Sequence, residues 1–218
     1  MFTGLKNNLL WSQGQAIVLG CLILAGISWL LFPILLYGIL GFFIFSVYFF
    51  RYPQRFCREA LISDAILVCP ADGKVVDIQY SHNNDLEGYA QKVSIFLSPF
   101  DVHVNWVPFA GTIEKMLYRP GAFMCAFLPK SSELNERNDL VFKRLHTNQT
   151  VLVRQIAGTV ARRICWWVKT DDAARVGDTF GMIRFGSRVD ILFPVEIDLK
   201  LVMGQRVYGG QTVFGEWR

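Results

Sequence analysis

Hydrophobic and polar residues are distributed along this chain in two different ways. Residues 14–50 include no charged side chain, whereas from Arg51 onward short apolar runs are broken by charged and turn-forming residues. A helix crosses the hydrocarbon core of a bilayer in roughly 20 residues. The apolar segment, residues 15–50, is too long for one upright crossing and long enough for two short ones. Pro33 is the natural break, because proline offers no N–H to the helical ladder. The pattern predicts helices over residues 15–31 and 34–50 joined by a tight turn; one long helix kinked at Pro33 is the competing geometry. A cleaved signal peptide fits poorly, since the stretch exceeds an h-region and no small-residue cleavage site closes it.

Beyond the apolar segment the pattern is that of strands. Ile66-Leu67-Val68, Val75-Val76-Asp77-Ile78, Val93-Ser94-Ile95-Phe96-Leu97, Val151-Leu152-Val153, Ile164-Cys165-Trp166-Trp167-Val168 and Val189-Asp190-Ile191-Leu192-Phe193 are short and rich in β-branched or aromatic residues. Helical periodicity is scarce, with residues 130–140 reading as a short helical turn or a loop. A weak repeat joins Ala71-Asp72-Gly73-Lys74-Val75, Ala110-Gly111-Thr112-Ile113 and Ala157-Gly158-Thr159-Val160. A second joins Val176-Gly177-Asp178-Thr179-Phe180-Gly181 to Gly209-Gly210-Gln211-Thr212-Val213-Phe214-Gly215. Such units are similar to the strand-turn units of lipoyl- and biotinyl-type barrels, although β-proteins commonly reuse glycine turns. The expected fold is mainly β: a compact barrel or sandwich domain with lipoyl-like strand-turn repeats, preceded by an N-terminal transmembrane helical hairpin. The expected division is residues 1–50 as membrane anchor and 51–218 as the β domain.

Composition sharpens this picture modestly. The net charge is +4, and no basic stripe interleaved with aromatics argues for nucleic acid. A mild positive balance beside an apolar anchor suits an anionic lipid surface. The five cysteines, Cys21, Cys57, Cys69, Cys125 and Cys165, are widely spaced and odd in number. That disfavours a disulfide framework or a structural zinc site, and no metal is expected. Lys6 precedes the apolar segment and Arg51, Arg55 and Arg58 follow it. Basic flanks stay on the cytoplasmic side, so two crossings place the β domain in the cytoplasm against the inner membrane, where reduced thiols are expected.

Four stretches carry candidate chemistry. Phe185-Gly186-Ser187-Arg188 lies between two strand-like runs. Pro70-Ala71-Asp72-Gly73 contains an Asp-Gly turn signal. Leu97-Ser98-Pro99-Phe100-Asp101-Val102-His103-Val104-Asn105-Trp106-Val107-Pro108 carries a histidine, and Asn135-Glu136-Arg137-Asn138 falls in a polar run. Taken singly, each has an ordinary structural reading: a tight turn, a turn cap, a core histidine, a surface loop. His82, in Ser81-His82-Asn83-Asn84-Asp85, reads as a surface loop residue.

Together and in this order, the four stretches resemble the phosphatidylserine decarboxylases in their short, membrane-attached form, over the chain from about Arg51 to the C-terminus. The resemblance implies self-cleavage between Gly186 and Ser187, with Ser187 becoming a covalent pyruvoyl group, the only cofactor. It implies His103 as base, oriented by Asp72, in the logic of an acid–base–nucleophile triad. A substrate cation is sought in Arg184 or Arg188, which flank the site, and Asn135 and Arg137 are taken as shaping it. Two departures stand out. Longer members have a second histidine where this chain has Trp106, and they read Leu-Gly-Ser-Thr where this chain reads Phe-Gly-Ser-Arg. His103 alone, His146 or a water then remains as the base that starts cleavage. The implied activity converts phosphatidylserine to phosphatidylethanolamine. The implied partners are a membrane phospholipid and the chain's own two fragments as a heterodimer, with or without further oligomerisation. A pyruvoyl decarboxylase of another serine-bearing lipid, and a non-cleaving membrane-anchored β-barrel adaptor, are the alternatives.

Overall fold

The computed structural model describes residues 9–31, 33–81, 86–122, 134–158, 163–184 and 187–218. His82, Cys125 and Gly186 lie outside the described residues. The chain forms two compact units, Met1–Gln54 and Arg55–Arg218.

The first unit holds two helices, α1 (Leu9–Leu31) and α2 (Leu35–Phe49). The first starts before the predicted residue 15, because Leu9 and Leu10 continue the same apolar run. The break falls where Pro33 forbids a continuous ladder, and Leu36 N–H bonds the Pro33 carbonyl at 3.1 Å to start the second helix. Cys21, Leu22 and Ala25 of α1 line one cavity together with Leu36, Ile39, Leu40 and Phe43 of α2. Ser46 satisfies its hydroxyl on the Phe42 carbonyl at 2.8 Å, the usual way an apolar helix carries a serine. Residues 13–30 are long and apolar enough to cross a membrane, and α2 is shorter.

The second unit is mainly β. After the short helix α3 (Arg58–Ile62) come β1 (Ile66–Val68), β2 (Gly73–Tyr80), β3 (Gln91–Leu97), β4 (Val104–Trp106), β5 (Gly111–Arg119), β6 (Arg137–Arg144), β7 (Thr150–Ala157) and β8 (Ile164–Trp166). They are followed by β9 (Ala173–Ala174), β10 (Thr179–Ile183), β11 (Ser187–Phe193), β12 (Ile197–Leu199), β13 (Arg206–Val207) and β14 (Val213–Trp217). Eight strands form one curled antiparallel sheet in the order β13-β2-β3-β11-β7-β6-β5-β9; two three-stranded sheets, β1-β14-β12 and β4-β10-β8, accompany it. Register shifts at Val75/Asp77 and Ile113/Lys115 add the local twist that curls a sheet. The three sheets share an aromatic core. Phe142 of β6 meets Phe180 of β10 at 5.5 Å and Phe109 at 6.4 Å, and Phe109 meets Trp217 of β14 at 5.8 Å.

All six predicted strands are present. The reading of residues 130–140 is corrected at its end: Arg137 to Leu140 belong to β6. Their polarity hid the strand, because Asn138 and Asp139 are buried against partners on β7, Gln155 and Arg154. The small-Gly repeat does not mark equivalent positions. It opens β2 and β5, but its third copy closes β7 and runs into residues outside the described ones.

Candidate active site

β11 lies in the middle of the large sheet, between β3 and β7, and every one of its residues is buried. Its first residue is Ser187, directly opposite Leu97 of β3 and Ala157 of β7. Strand alternation puts Ser187, Val189, Ile191 and Phe193 on one face and Arg188, Asp190 and Leu192 on the other. The Ser187 hydroxyl is buried and, among the described residues, has no hydrogen-bond partner. A buried unpaired hydroxyl costs about 1–3 kcal/mol, so this one is not there for stability.

The strand opposite Ser187 leads straight into the histidine loop. Leu97 ends β3, and Ser98 to Val102 turn back before β4. The Asp101 carboxylate holds that turn: it accepts the Ser98 amide at 2.7 Å and an ion pair from Arg206 of β13. The Asp101 main-chain carbonyl lies 2.9 Å from His103 Nδ1. A carbonyl only accepts, so Nδ1 carries a proton in this contact, which fixes the orientation of the ring. The main chain of His103 is fixed as well, since its carbonyl accepts the Ile183 amide at 3.1 Å. Ile183 ends β10, four positions before Ser187. The histidine loop is thus tied by main chain to both strands that flank the predicted scissile bond. His103 itself is fully buried.

Asp72 is buried just before β2. Its carboxylate receives a paired contact from Arg55, with Nη2 at 3.1 Å from Oδ2, and the Gly209 amide at 2.8 Å. Among the described residues the expected hydrogen bond to His103 is not one of them. Asp72 instead organises the surroundings of Trp106 on β4. The Arg55 guanidinium lies 5.1 Å from the Trp106 ring centroid. A Cβ at Gly209 or Gly210 would come within 2.3 and 2.9 Å of the indole, so only glycine permits this packing. The residue standing where longer relatives have histidine is a packed core tryptophan, and its strand begins at the residue after His103.

The other candidates separate by sheet face. Arg188 donates to Asp190 at 2.7 and 2.9 Å, and Lys92 stands 3.8 Å from the same carboxylate. Burial pushes the Asp190 carboxyl up, but Arg188 and Lys92 outweigh it and hold the group below its ordinary value. Arg137 belongs to the same far face, near Arg154, which pairs with Asp139 and Glu87. Strand alternation therefore turns Arg188 and Arg137 away from Ser187. Asn135 Nδ2 donates to the Ala157 carbonyl at 2.7 Å, bracing the residue paired with Ser187. Arg184 follows β10, its amide bonded to the Arg163 carbonyl at 3.2 Å. Burial raises the Cys165 thiol, and Arg184 and Arg163 partly offset that rise, so the two arginines share one neighbourhood.

Several residues of the site carried no signal of their own in the sequence. Asn138 Nδ2 donates to Gln155 Oε1 at 3.0 Å, and Gln155 Nε2 to Asn105 Oδ1 at 2.8 Å, a buried amide chain linking β6, β7 and β4. Alternation along β6 and β7 would have grouped Asn138 and Gln155 with Ser187 once their strands were paired. Arg55 and Arg206 act on Asp72 and Asp101 across long sequence separations, for which no local pattern exists.

The family model described as phosphatidylserine decarboxylase matches residues 42–215. A phosphatidylserine decarboxylase proenzyme of Salinibacter ruber is 46% identical over 174 residues, covering 78% of this chain and 75% of that protein. The proenzyme of Carboxydothermus hydrogenoformans is 45% identical over 182 residues, covering 82% and 83%. That of Syntrophus aciditrophicus is 42% identical over 173 residues, covering 79% of each.

Proposed function

Since the chain belongs to the phosphatidylserine decarboxylase family, we propose that it releases carbon dioxide from phosphatidylserine, giving phosphatidylethanolamine, with a pyruvoyl group made from its own Ser187. The observation that carries this reading is the buried Ser187 hydroxyl, without a partner among the described residues and opposite the end of the strand that leads into the His103 loop. A residue converted at this position fits as well, since its neighbour across the sheet is the small Ala157.

His103 Nε2 takes the proton of the Ser187 hydroxyl, which alone attacks poorly. The Ser187 oxygen attacks the carbonyl carbon of Gly186, and the amide becomes an ester. Elimination then leaves residues 1–186 with a carboxylate end. Water releases ammonia from residue 187, completing the ketone. The pyruvoyl group supplies an electron sink for the departing carbon dioxide, the role pyridoxal phosphate plays elsewhere. His103, protonated, is placed to return a proton to the substrate carbon that loses carbon dioxide. Asp101 and Arg206 hold the imidazole in place, and Asp72 acts as a positioning residue through Arg55, Gly209 and Trp106. Arg184 is the cation for an anionic part of the headgroup, and Asn135 braces the strand beside Ser187.

In this reading residues 1–50 form a transmembrane helical hairpin that keeps the β domain on the cytoplasmic side of the inner membrane, at its lipid substrate. The processed protein is a heterodimer of residues 1–186 and 187–218. Gel mobility of the full-length protein tests the reading: wild type splits, and Ser187→Ala stays whole and inactive. A Ser187→Ala chain that still splits at this bond would sink it.

A further inference from the structure

Ser187 is not the only buried atom on its sheet face without a partner. Ala157, opposite Ser187 on β7, donates its amide to the Glu136 carbonyl at 3.0 Å. Ser187, Ala157 and Glu136 therefore form one row across three neighbouring segments, with side chains on the same face. At about 4.8 Å per strand, Ser187 and Glu136 stand about 10 Å apart in the main chain, with Ala157 as the residue between them in the row.

Glu136 is buried and carries its two oxygens in different states. Oε1 accepts the Tyr118 hydroxyl at 3.1 Å and the Ile164 amide at 3.4 Å. Oε2 is buried and, among the described residues, has no partner. Two positions along β6, on the same face, Asn138 repeats this. Its Nδ2 is committed to Gln155, which fixes the amide's orientation, and its Oδ1 is buried with no partner among the described residues. Two unpaired oxygens, from Glu136 and Asn138, thus lie on the buried face that also carries Ser187. Each such group costs free energy to bury. What the set lacks is a compact group with several donors and no acceptor, and positive charge to match the carboxylate. A primary ammonium has those properties: three N–H donors and one positive charge.

We propose that Glu136 and Asn138 form the recognition site for the primary ammonium of the substrate headgroup, on the sheet face that carries residue 187. The inference deepens the decarboxylase reading and rests on it. The surroundings match the rest of a phosphoserine headgroup, which has one cation and two anions. Arg163 and Arg184 share the neighbourhood of Cys165 on β8, whose preceding residue, Ile164, donates to Glu136. The aromatic pair Tyr118 and Trp166, with ring centroids 5.3 Å apart and both partly exposed, stands at the outer side of Glu136. One anion for one cation, and two cations for two anions, is the complementarity that orients a zwitterionic ligand. The placement also serves chemistry. An ammonium must shed a proton before its nitrogen can attack a carbonyl, and Glu136 Oε2 accepts it, leaving a neutral amine and a protonated carboxyl.

The test uses full-length, detergent-solubilised Ser187→Ala protein, which cannot turn substrate over. Its affinity for glycerophosphoserine is compared with that for the desamino analogue, in which hydrogen replaces the amine. The expected result is a preference of about 10-fold or more for the amine, worth about 1.4 kcal/mol. Adding Glu136→Gln should abolish that preference, and adding Glu136→Asp, which keeps the charge and the fold, should retain part of it. A missing preference in Ser187→Ala, a preference that survives Glu136→Gln, or equal weakening of both ligands would overturn the ammonium site. Such a result with a wild-type chain that splits and releases carbon dioxide defeats this inference alone. A wild-type chain that neither splits nor decarboxylates defeats the reading beneath it.

Discussion

The two faces of the large sheet around β11 treat charged groups in opposite ways. On the far face charge is buried and matched: Arg188 with Asp190, and Arg154 with Asp139 and Glu87. On the near face Ser187 Oγ, Glu136 Oε2 and Asn138 Oδ1 are buried and unmatched among the described residues. The same strands, one residue out of phase, supply both sets. A buried charge is tolerated when paired and hydrogen-bonded, so the far face holds the strands in register beneath the site. An unpaired buried acceptor is retained against its cost only where something else supplies the donor. The contrast separates residues that hold the sheet from residues that act on a ligand.

Substitutions on the near face should remove function and spare the fold. Ser187→Ala has the largest effect, with no processing and no decarboxylation but an unfolding midpoint close to that of wild type. His103→Ala should cost 10²–10⁴-fold in the step that needs its proton transfer. An uncleaved chain would mean that it serves both steps, and a cleaved but inactive one that another base starts cleavage. A fully processed, fully active His103→Ala protein would show that the site is elsewhere.

The far face should respond in the opposite sense. Asp190→Asn leaves Arg188 buried without its carboxylate, and breaking such a pair costs about 3–5 kcal/mol. Denaturant unfolding should report that loss, while the surviving folded protein still processes at low temperature. Asp101→Asn lies between the two classes, because it loosens the histidine loop without touching a reacting atom. It should slow processing by about 10-fold, corresponding to about 1.4 kcal/mol, and shift the pH profile of processing, which a purely structural lesion would not move.

The smallest effect is in the acid limb of stability. The Arg154 hydrogen bonds and charge hold the Glu87 carboxyl below its ordinary value. A carboxyl depressed in the folded state contributes stability above its unfolded value, and that contribution is lost as pH falls through the folded value. Unfolding measured below about pH 4.3 should therefore be less pH-dependent in Glu87→Gln than in wild type, with a change under about 1 kcal/mol at neutral pH for this half-exposed pair. Identical slopes would remove Glu87 from the far-face network.

Legibility in the sequence followed the same division. The β-branched and aromatic runs of β1, β2, β3, β7, β8 and β11 could be read directly, because one face of each is apolar. β6 could not: Arg137, Asn138 and Asp139 look like a solvated loop until β7 supplies Gln155 and Arg154 as partners. Ser187, His103 and Asp72 were visible through the order of their motifs. The partners that fix two of them, Arg206 for the His103 loop and Arg55 for Asp72, lie outside those motifs and are joined only by the fold. Glu136 stood within a noted run but was not singled out, since its significance depends on which sheet face it occupies. Trp106 was legible as a departure, and only packing against Gly209 and Gly210 shows that it fills a core position.

The most direct test of the account is the intact mass of the pieces released when purified wild-type protein is denatured. The account predicts a C-terminal piece spanning residues 187–218, blocked at its first residue and lighter by one ammonia than the same peptide beginning with serine. A single full-length chain, or a piece beginning with a free Ser187 amine, would contradict it.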